Sequence, residues 1–580
     1  MSSPKKEQTG NTVIVGIDFG TTYSGVAFTW SNKIERMEVI TSWDSDLHST
    51  SDEEKTPTAI SYNSKGEVSW GYSIPFEPEQ GKWFKLLLID EKDLPDEIRG
   101  STKLKEAREY LKKHNKTPIS VIAEYLRLLW NHCNQRIIET VSRAVVNYSK
   151  FHIVITVPAI WPQYARVRMR EAAKDAGMLT KRIAGETRLD IISEPEAAAL
   201  ATLSDMEGRC DVQVGDTFVV ADCGGGTTDI ISYEVINISP MAVKECVQGQ
   251  GGLCGAVFVD EAFVQILKKK FGQKAWDKME GRSRHRIIHD EWEHGIKPMF
   301  NGNMRPCIIT MPVECIDFSA FMTGRRAVPK IEITADDVCT AFDPVVDKIG
   351  GMVAEQAAAI KTLQTEEKLK GPKYVILVGG FGRCKYLLTA LKRFVGEDVE
   401  ILQSRGSGPW TAICRGAVIH ASSLQGLGSF TVQIQSRIAR ASYGTTVIRD
   451  WNSRMHKKKD KYWDEERQGW YARDQMDWSL KIGEEMISDK PVRFSYSRLY
   501  STDEASQRKI EVKIYTSTES PPPPRKESSV LLLCTIDWDT EINIANLSTY
   551  TNQLGKVYYK LEYELQMGSK NVVANYEVKG

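Results

Sequence analysis

The stretch ADCGGGTTD (Ala221–Asp229) decides the fold. Three consecutive glycines and two threonines stand between two aspartates, with the apolar run TFVV before them and IISYEV after. Apolar runs on either side of a glycine turn predict a strand, a bare loop and a second strand. Glycine lets the backbone approach a ligand closely, successive N–H groups in such a turn form a concave anion site, and threonine hydroxyls add donors. The expected ligand is a phosphate. An aspartate facing a polyphosphate is repelled unless a cation stands between them. Asp222 is therefore expected to serve Mg²⁺, which prefers oxygen and keeps several waters, or to orient an attacking water.

A second unit repeats the pattern. IVGIDFGTTYSGVAF (residues 14–28) carries Asp18 at the end of an apolar strand, then Gly20, Thr21 and Thr22. Asp18 and Asp222 lie 204 positions apart, about one domain. This spacing suggests an internal duplication, two related lobes each offering a hairpin tip to a shared cleft, with Asp18 as the second Mg²⁺ carboxylate. A third element, KYVILVGGFGRCKYL (373–387), reads as a buried strand ending in Gly379–Gly380, with Arg383 opening a helix. Bare backbone followed by a guanidinium suits a nucleoside.

The remaining sequence sets bounds. At 580 residues the chain exceeds one core, and roughly 150 residues per domain predicts three or four domains. Lys+Arg and Asp+Glu are both 76, so no net charge draws the chain to nucleic acid or an anionic membrane. The polar start MSSPKKEQTGN reads as a disordered N-terminus (1–11), not a signal peptide, and no apolar run approaches the ~20 residues of a membrane helix. Eleven scattered cysteines without a C-x-x-C pair point to reduced thiols in the cytoplasm or nucleus. Strands alternate with helices over 12–425, which predicts α/β layers. Period-two segments over 429–580 predict an antiparallel β domain. Within it, MHKKKDKYWDEERQGWYARD and ESPPPPRKES read as solvated loops. The nine histidines show no metal-ligand spacing, and His285, His289 and His294 read as solvated side chains of a charged helix.

Taken in order, these elements resemble the actin/hexokinase/heat-shock-70 nucleotide-binding superfamily, and heat-shock-70 proteins in particular. IDFGTTYS resembles their first phosphate loop, DCGGGTTD their second and LVGGFGR their adenosine loop. ITVPAIWPQYARVRMREAAKDAGM and IISEPEAAAL resemble the two inter-lobe connections. The diverged heat-shock-70 12-like branch fits better than the main chaperones. The resemblance implies duplicated ATPase lobes around a nucleotide cleft, followed by a diverged antiparallel β-sandwich. It also implies that Gly20, Thr21, Thr22, Tyr23, Gly224, Gly225, Gly226 and Thr227 bind ATP or ADP. Thr21 and Thr22 would contact the phosphates and Thr227 the γ-phosphate. Asp18, Asp222 and Asp229 would form the Mg²⁺ site, with Glu194 near the metal and the water. Lys85 is the candidate catalytic lysine, with Lys82 as rival, and Pro158 and Arg166 match a relay to the partner domain.

The departures are equally specific. After the second loop, QGQGGLCGAVFVDEAF keeps Gly251 and Gly252 but puts Leu253 and Cys254 where the family has an acid. The adenine-binding helix is expected in EWEHGIKPMF, giving Glu293 and Lys297, with spacing one residue longer than the family's. ASSLQGLGSFTVQI replaces the leucine-rich linker, and no helical lid or acidic tail is expected. The resemblance implies a slow ATPase of chaperone type, whose nucleotide state controls lobe closure and whose β domain takes extended peptide clients or a protein partner, with co-chaperones. The alternative is a nucleotide-gated adaptor that hardly turns ATP over. A small-molecule kinase lacks a separate base for a sugar hydroxyl.

Overall fold

A computed structural model describes residues 11–31, 36–45, 52–75, 79–94, 99–206, 211–316, 330–365, 370–403, 408–427, 432–487, 490–502, 507–508, 511–537, 542–567 and 572–576. Residues 1–10 of the expected disordered start (1–11) and residues 428–431 of the linker lie outside them. The chain divides into two compact units. One holds the residues up to Ala242 with Gly249–Gln433; the other holds Val243–Gln248 with Ile434–Gly580.

The first unit contains two sheets of one design. Strand β1 (Thr12–Phe19) is buried along nearly its whole length, as is β5 (Lys150–Val157). Such continuous apolar runs belong in a sheet covered on both faces. The first sheet runs β3 (Glu38–Val39), β2 (Tyr23–Trp30), β1, β5, β6 (Arg188–Ser193), and β4 (Lys55–Pro57) also pairs with β2. The second contains β8 (Thr228–Ile238), β7 (Thr217–Cys223), β9 (Pro372–Val378) and β10 (Glu400–Gln403), adjacent in that order. In both, an antiparallel hairpin (β1–β2, β7–β8) is extended beside its first strand by two parallel strands (β5 and β6, β9 and β10). The duplication inferred from the two aspartate loops is thus a repeated topology.

Helix ends follow local chemistry. Helix α1 (Pro118–Val141) starts with Pro118 in its first turn and a reciprocal cap: Ser120 N donates to Thr117 Oγ1 at 3.1 Å, and Thr117 N donates to Ser120 Oγ at 2.8 Å. Helix α2 (Gln163–Asp175) follows Pro162 and ends before Gly177, which has φ +79°. Helix α3 (Glu194–Met206) opens with a buried glutamate. Helix α4 (Ala256–Phe271) begins beside the second glycine loop. Residues Arg286–Ile296 form a π-helix. Among the described residues no helix is long and apolar enough to cross a membrane.

The second unit holds a five-stranded sheet in the order Lys461–Asp464, Gly469–Leu480, Ser442–Asp450, Glu511–Ser517, Leu531–Asp537. It also holds a four-stranded one built around Val557–Met567. Val512 and Ile514 of one pack with Leu561, Tyr563 and Leu565 of the other, which makes a β-sandwich. Two expectations change here. The segment read as a charged solvated loop contains a paired hairpin, Lys461–Asp464 against Gly469–Ala472, with Lys461 Nζ 4.2 Å from the centre of the Trp470 ring. The polyproline segment is pinned as well: Trp478 Nε1 donates to Pro523 O at 2.7 Å, Met476 N donates to Pro524 O at 2.9 Å, and Arg525 forks onto the buried Asp460.

Candidate functional site

The two glycine–threonine tips meet. A Cβ added at Gly225 would overlap Thr22 Oγ1, and one at Gly226 would lie 3.3 Å from Thr21 Oγ1. Only a residue without a side chain lets Gly225 approach so closely. The second loop is closed by Gly224 N donating to Thr227 O at 2.9 Å. It is backed by α4, whose first amides donate to it: Ala256 N to Gly224 O at 3.2 Å and Val257 N to Gly225 O at 3.0 Å. The divergent Cys254 takes part through its carbonyl, which accepts from Thr228 Oγ1 at 3.2 Å.

Four carboxylates converge beneath the loops: Asp18, Glu194, Asp222 and Asp229, each no more than 5 % exposed. Asp222 and Asp229 are direct partners across the β7–β8 hairpin. Two buried lysines join them. Lys85 Nζ lies 2.5 Å from Glu194 Oε1, over the rings of Trp161 and Phe19. Lys55 pairs with Asp18 and sits 4.4 Å from the centre of the Trp410 ring. The rival Lys82 is exposed.

Burial sets the acidities. It pushes Glu194 up, against the opposing charge of Lys85 and with the help of Asp18. Burial, then Glu194, Asp229 and Asp18, push Asp222 well above the ordinary carboxylate range. Asp229 is raised to about 7 by burial and Glu194, although it accepts a hydrogen bond from Ala159 N at 3.0 Å. Ala159 follows Pro158, so the expected relay segment of one lobe touches a carboxylate of the other. For Lys55, burial alone would lower the value; Asp18 overrides it and the ammonium is raised.

A divalent cation fits this set on two observations. Asp222 Oδ1 and Asp229 Oδ2 are buried without a hydrogen-bond partner, and buried polar atoms are ordinarily satisfied. Four carboxylates against two ammonium groups also leave a formal charge of two negative, which one divalent ion balances.

The expected nucleoside side is assembled from two directions. Lys297 Nζ lies 2.7 Å from Glu293 Oε2 and 2.8 Å from Asp260 Oδ1, and Asp260 also accepts from Trp292 Nε1 at 2.7 Å. Tyr23 belongs to the same neighbourhood: burial, then Glu293, raise its phenol, with Lys297 opposing. Gly379, φ +80°, is pressed against Asp222, and a Cβ at Gly380 would overlap the Trp410 ring. Tyr23 packs edge-on to that same ring at 5.6 Å. Arg383 departs from expectation. It is exposed and closes a 3₁₀ turn (Phe381–Arg383), and the helix starts only at Lys385. Sequence reasoning missed Lys55, Asp260 and Trp410, and no local signal marks any of them.

The repeated lobes, the interlocked loops and the carboxylate cluster agree with a family model described as "Hsp70 protein", which matches residues 90–435. The chain belongs to the Hsp70 family. It is similar to human heat shock 70 kDa protein 12B, at 26% identity over 77% of this chain and 73% of that protein. It is also similar to mouse heat shock 70 kDa protein 12A, at 24% over 89% and 83%. Chaperone protein DnaK from Buchnera aphidicola is 30% identical over 44% of this chain and 38% of its own. Residues 437–563 match a model described as a domain of unknown function. This Hsp70-family protein therefore carries the family's nucleotide-binding domain, joined to a β-sandwich.

Proposed function

We propose that this Hsp70-family protein binds Mg·ATP between its two lobes, hydrolyses it slowly, and couples nucleotide state to lobe closure in a chaperone-like cycle. The observation that carries the reading is the pair of orphaned oxygens, Asp222 Oδ1 and Asp229 Oδ2, at the root of the second of the two interlocked loops. Mg²⁺, held by Asp222 and Asp229 with Asp18 beside them, would supply charge neutralisation of the triphosphate. The loop amides and Thr21, Thr22 and Thr227 cradle phosphate oxygens. Lys85, held by Glu194, presents a buried cation where γ-phosphate charge develops. Asp229, raised to about 7, is able to hold or release a proton near neutral pH. Lys297, Glu293 and Tyr23 define the nucleoside side. The ten described cysteines are free, in keeping with a reducing cytoplasm or nucleus. The strand Leu531–Asp537 ends its sheet and exposes Leu531 and Leu532, an edge suited to an extended peptide client.

One observation favours the nucleotide-gated adaptor instead: Lys55 already neutralises Asp18, so one metal carboxylate is occupied from within the chain. Single-turnover hydrolysis of radiolabelled ATP separates the two. The cycle requires slow turnover that falls ~10²–10³-fold in Asp222→Asn and in Lys85→Ala, the loss expected on removing one key electrostatic group. Tight ATP binding without turnover would establish the adaptor.

A further inference from the structure

The π-helix has two faces with the same unusual period. Its inner face buries Ile287, Trp292 and Lys297, five residues apart, with Trp292 stacked 3.7 Å from the ring of Phe263. An i,i+5 pair is separated by about 140° on an α-helix, but a π-helix brings it onto one face. The outer face therefore gathers histidines that the sequence scatters. His289 and His294, five apart, have rings 4.4 Å apart and Nε2 atoms 3.3 Å apart. His285 stacks on His289 from the preceding turn at 4.5 Å. Asp290 Oδ1 lies 3.0 Å from His289 Nδ1. Ligand atoms of His285, His289 and Asp290 all fall within 4.8 Å of one another.

We propose that His289 and His294 bind a divalent transition-metal ion of the zinc class, with Asp290 orienting His289. Two imidazole nitrogens bound tetrahedrally at 2.0–2.1 Å stand about 3.3–3.4 Å apart. The His289–His294 separation of 3.3 Å already has this value. The carboxylate on Nδ1 selects the tautomer whose Nε2 offers a lone pair, an arrangement metal-binding histidines use repeatedly. His289 is about one-third exposed, so a hydrated ion reaches it from solvent. Imidazole-rich sites select zinc, copper or nickel over Mg²⁺. This site is therefore chemically separate from the all-carboxylate centre between the loops.

The site also has a means of acting on nucleotide, a consequence that rests on the reading above. Rewinding residues 286–296 as an α-helix would part His289 from His294 and shift Glu293 and Lys297 relative to Asp260. A metal clamped between the two histidines holds the π register, and with it the three groups on the nucleoside side. Coupling of this kind is reciprocal.

The experiment titrates Zn²⁺ into the chelator-stripped full-length chain against a chromophoric chelator, and reads Co²⁺ d–d absorption in parallel. One equivalent of Zn²⁺ should bind, with a tetrahedral-type Co²⁺ spectrum. Affinity should fall at least tenfold in His289→Gln and in His294→Gln, and stay unchanged in the remote His456→Gln. No binding, or binding unaltered by either substitution, overturns the site. Fluorescent ADP titrated with and without Zn²⁺ should show an affinity shift that both variants abolish. An unchanged ADP affinity overturns the coupling alone. A chain that binds zinc but no ADP refutes the nucleotide reading and leaves the metal site standing.

Discussion

The two hairpins that meet at the centre of the nucleotide-binding domain differ in the residue that faces the strand-end aspartate. In the first, Asp18 stands opposite Gly25. The missing side chain leaves room for Lys55, whose Cγ would lie 2.9 Å from a Cβ at Gly25, to come alongside and pair with Asp18. In the second, Asp222 stands opposite Asp229, and each keeps a buried oxygen without a partner. The same topology thus presents a carboxylate satisfied from within the chain on one side and a carboxylate pair with two buried, unpartnered oxygens on the other. A repeated fold fixes where the groups stand. One residue across the hairpin decides whether the aspartate is paired from within the chain.

The largest effect should come from removing the internal cation. Lys55→Ala strands Asp18 at 2 % exposure, and breaking a buried pair costs about 3–5 kcal/mol. Adding Asp18→Asn should restore most of that loss, because the uncompensated charge goes with it. Urea midpoints of the two variants against the parent decide it; a Lys55→Ala chain as stable as the parent would mean that Asp18 draws its compensation elsewhere. Gly25→Ala should cost less, about 1–3 kcal/mol, by crowding Lys55. In a Lys55→Ala background the added methyl has space and its cost should shrink toward zero, a non-additivity that only a direct contact produces. An unchanged cost would place the strain in the strand.

The sequence makes some of this arrangement visible and hides the rest, for physical reasons. Asp18, Asp222 and both glycine loops are legible because a hairpin is local: apolar run, bare turn, apolar run. Glu194 and Lys85 are reached only through family resemblance, since 109 residues separate the members of that ion pair. Lys55 gives no sign at all. It arrives on a three-residue strand, and its role depends on the absence of a side chain at Gly25. The π register is hidden for another reason. A single residue beyond the family's spacing is visible in EWEHGIKPMF, but reading it as a wider helical turn requires noticing that Ile287, Trp292 and Lys297 repeat every five residues. The aromatic hairpin of the β domain was concealed by its charges, because Lys461 lies over Trp470 and so makes a polar-looking segment pack.

The smallest effect concerns a carboxylate that the first lobe again satisfies internally. Asp190 on β6 accepts from His152 Nε2 at 2.8 Å and pairs with Arg188 at 2.9 Å. Burial works against the charged form, but His152, Arg188 and His420 outweigh it and bring Asp190 down to about 2. A carboxyl lowered in the folded state adds stability above its unfolded value near 3.9, and that stability drains away as the pH falls toward 2. The full shift corresponds to about 2.5 kcal/mol, and solvent screening of a side chain one-quarter exposed reduces this to about 1–2 kcal/mol. Asp190→Asn should therefore lower the urea midpoint at pH 7, and the gap to the parent should begin to close only below pH 4. Asp229, raised to about 7 in the other lobe, carries the opposite sign. A gap that instead closed between pH 5 and 7 would mean that His152, not Asp190, is the titrating partner, and that this lobe's internal pairing depends on a protonated imidazole.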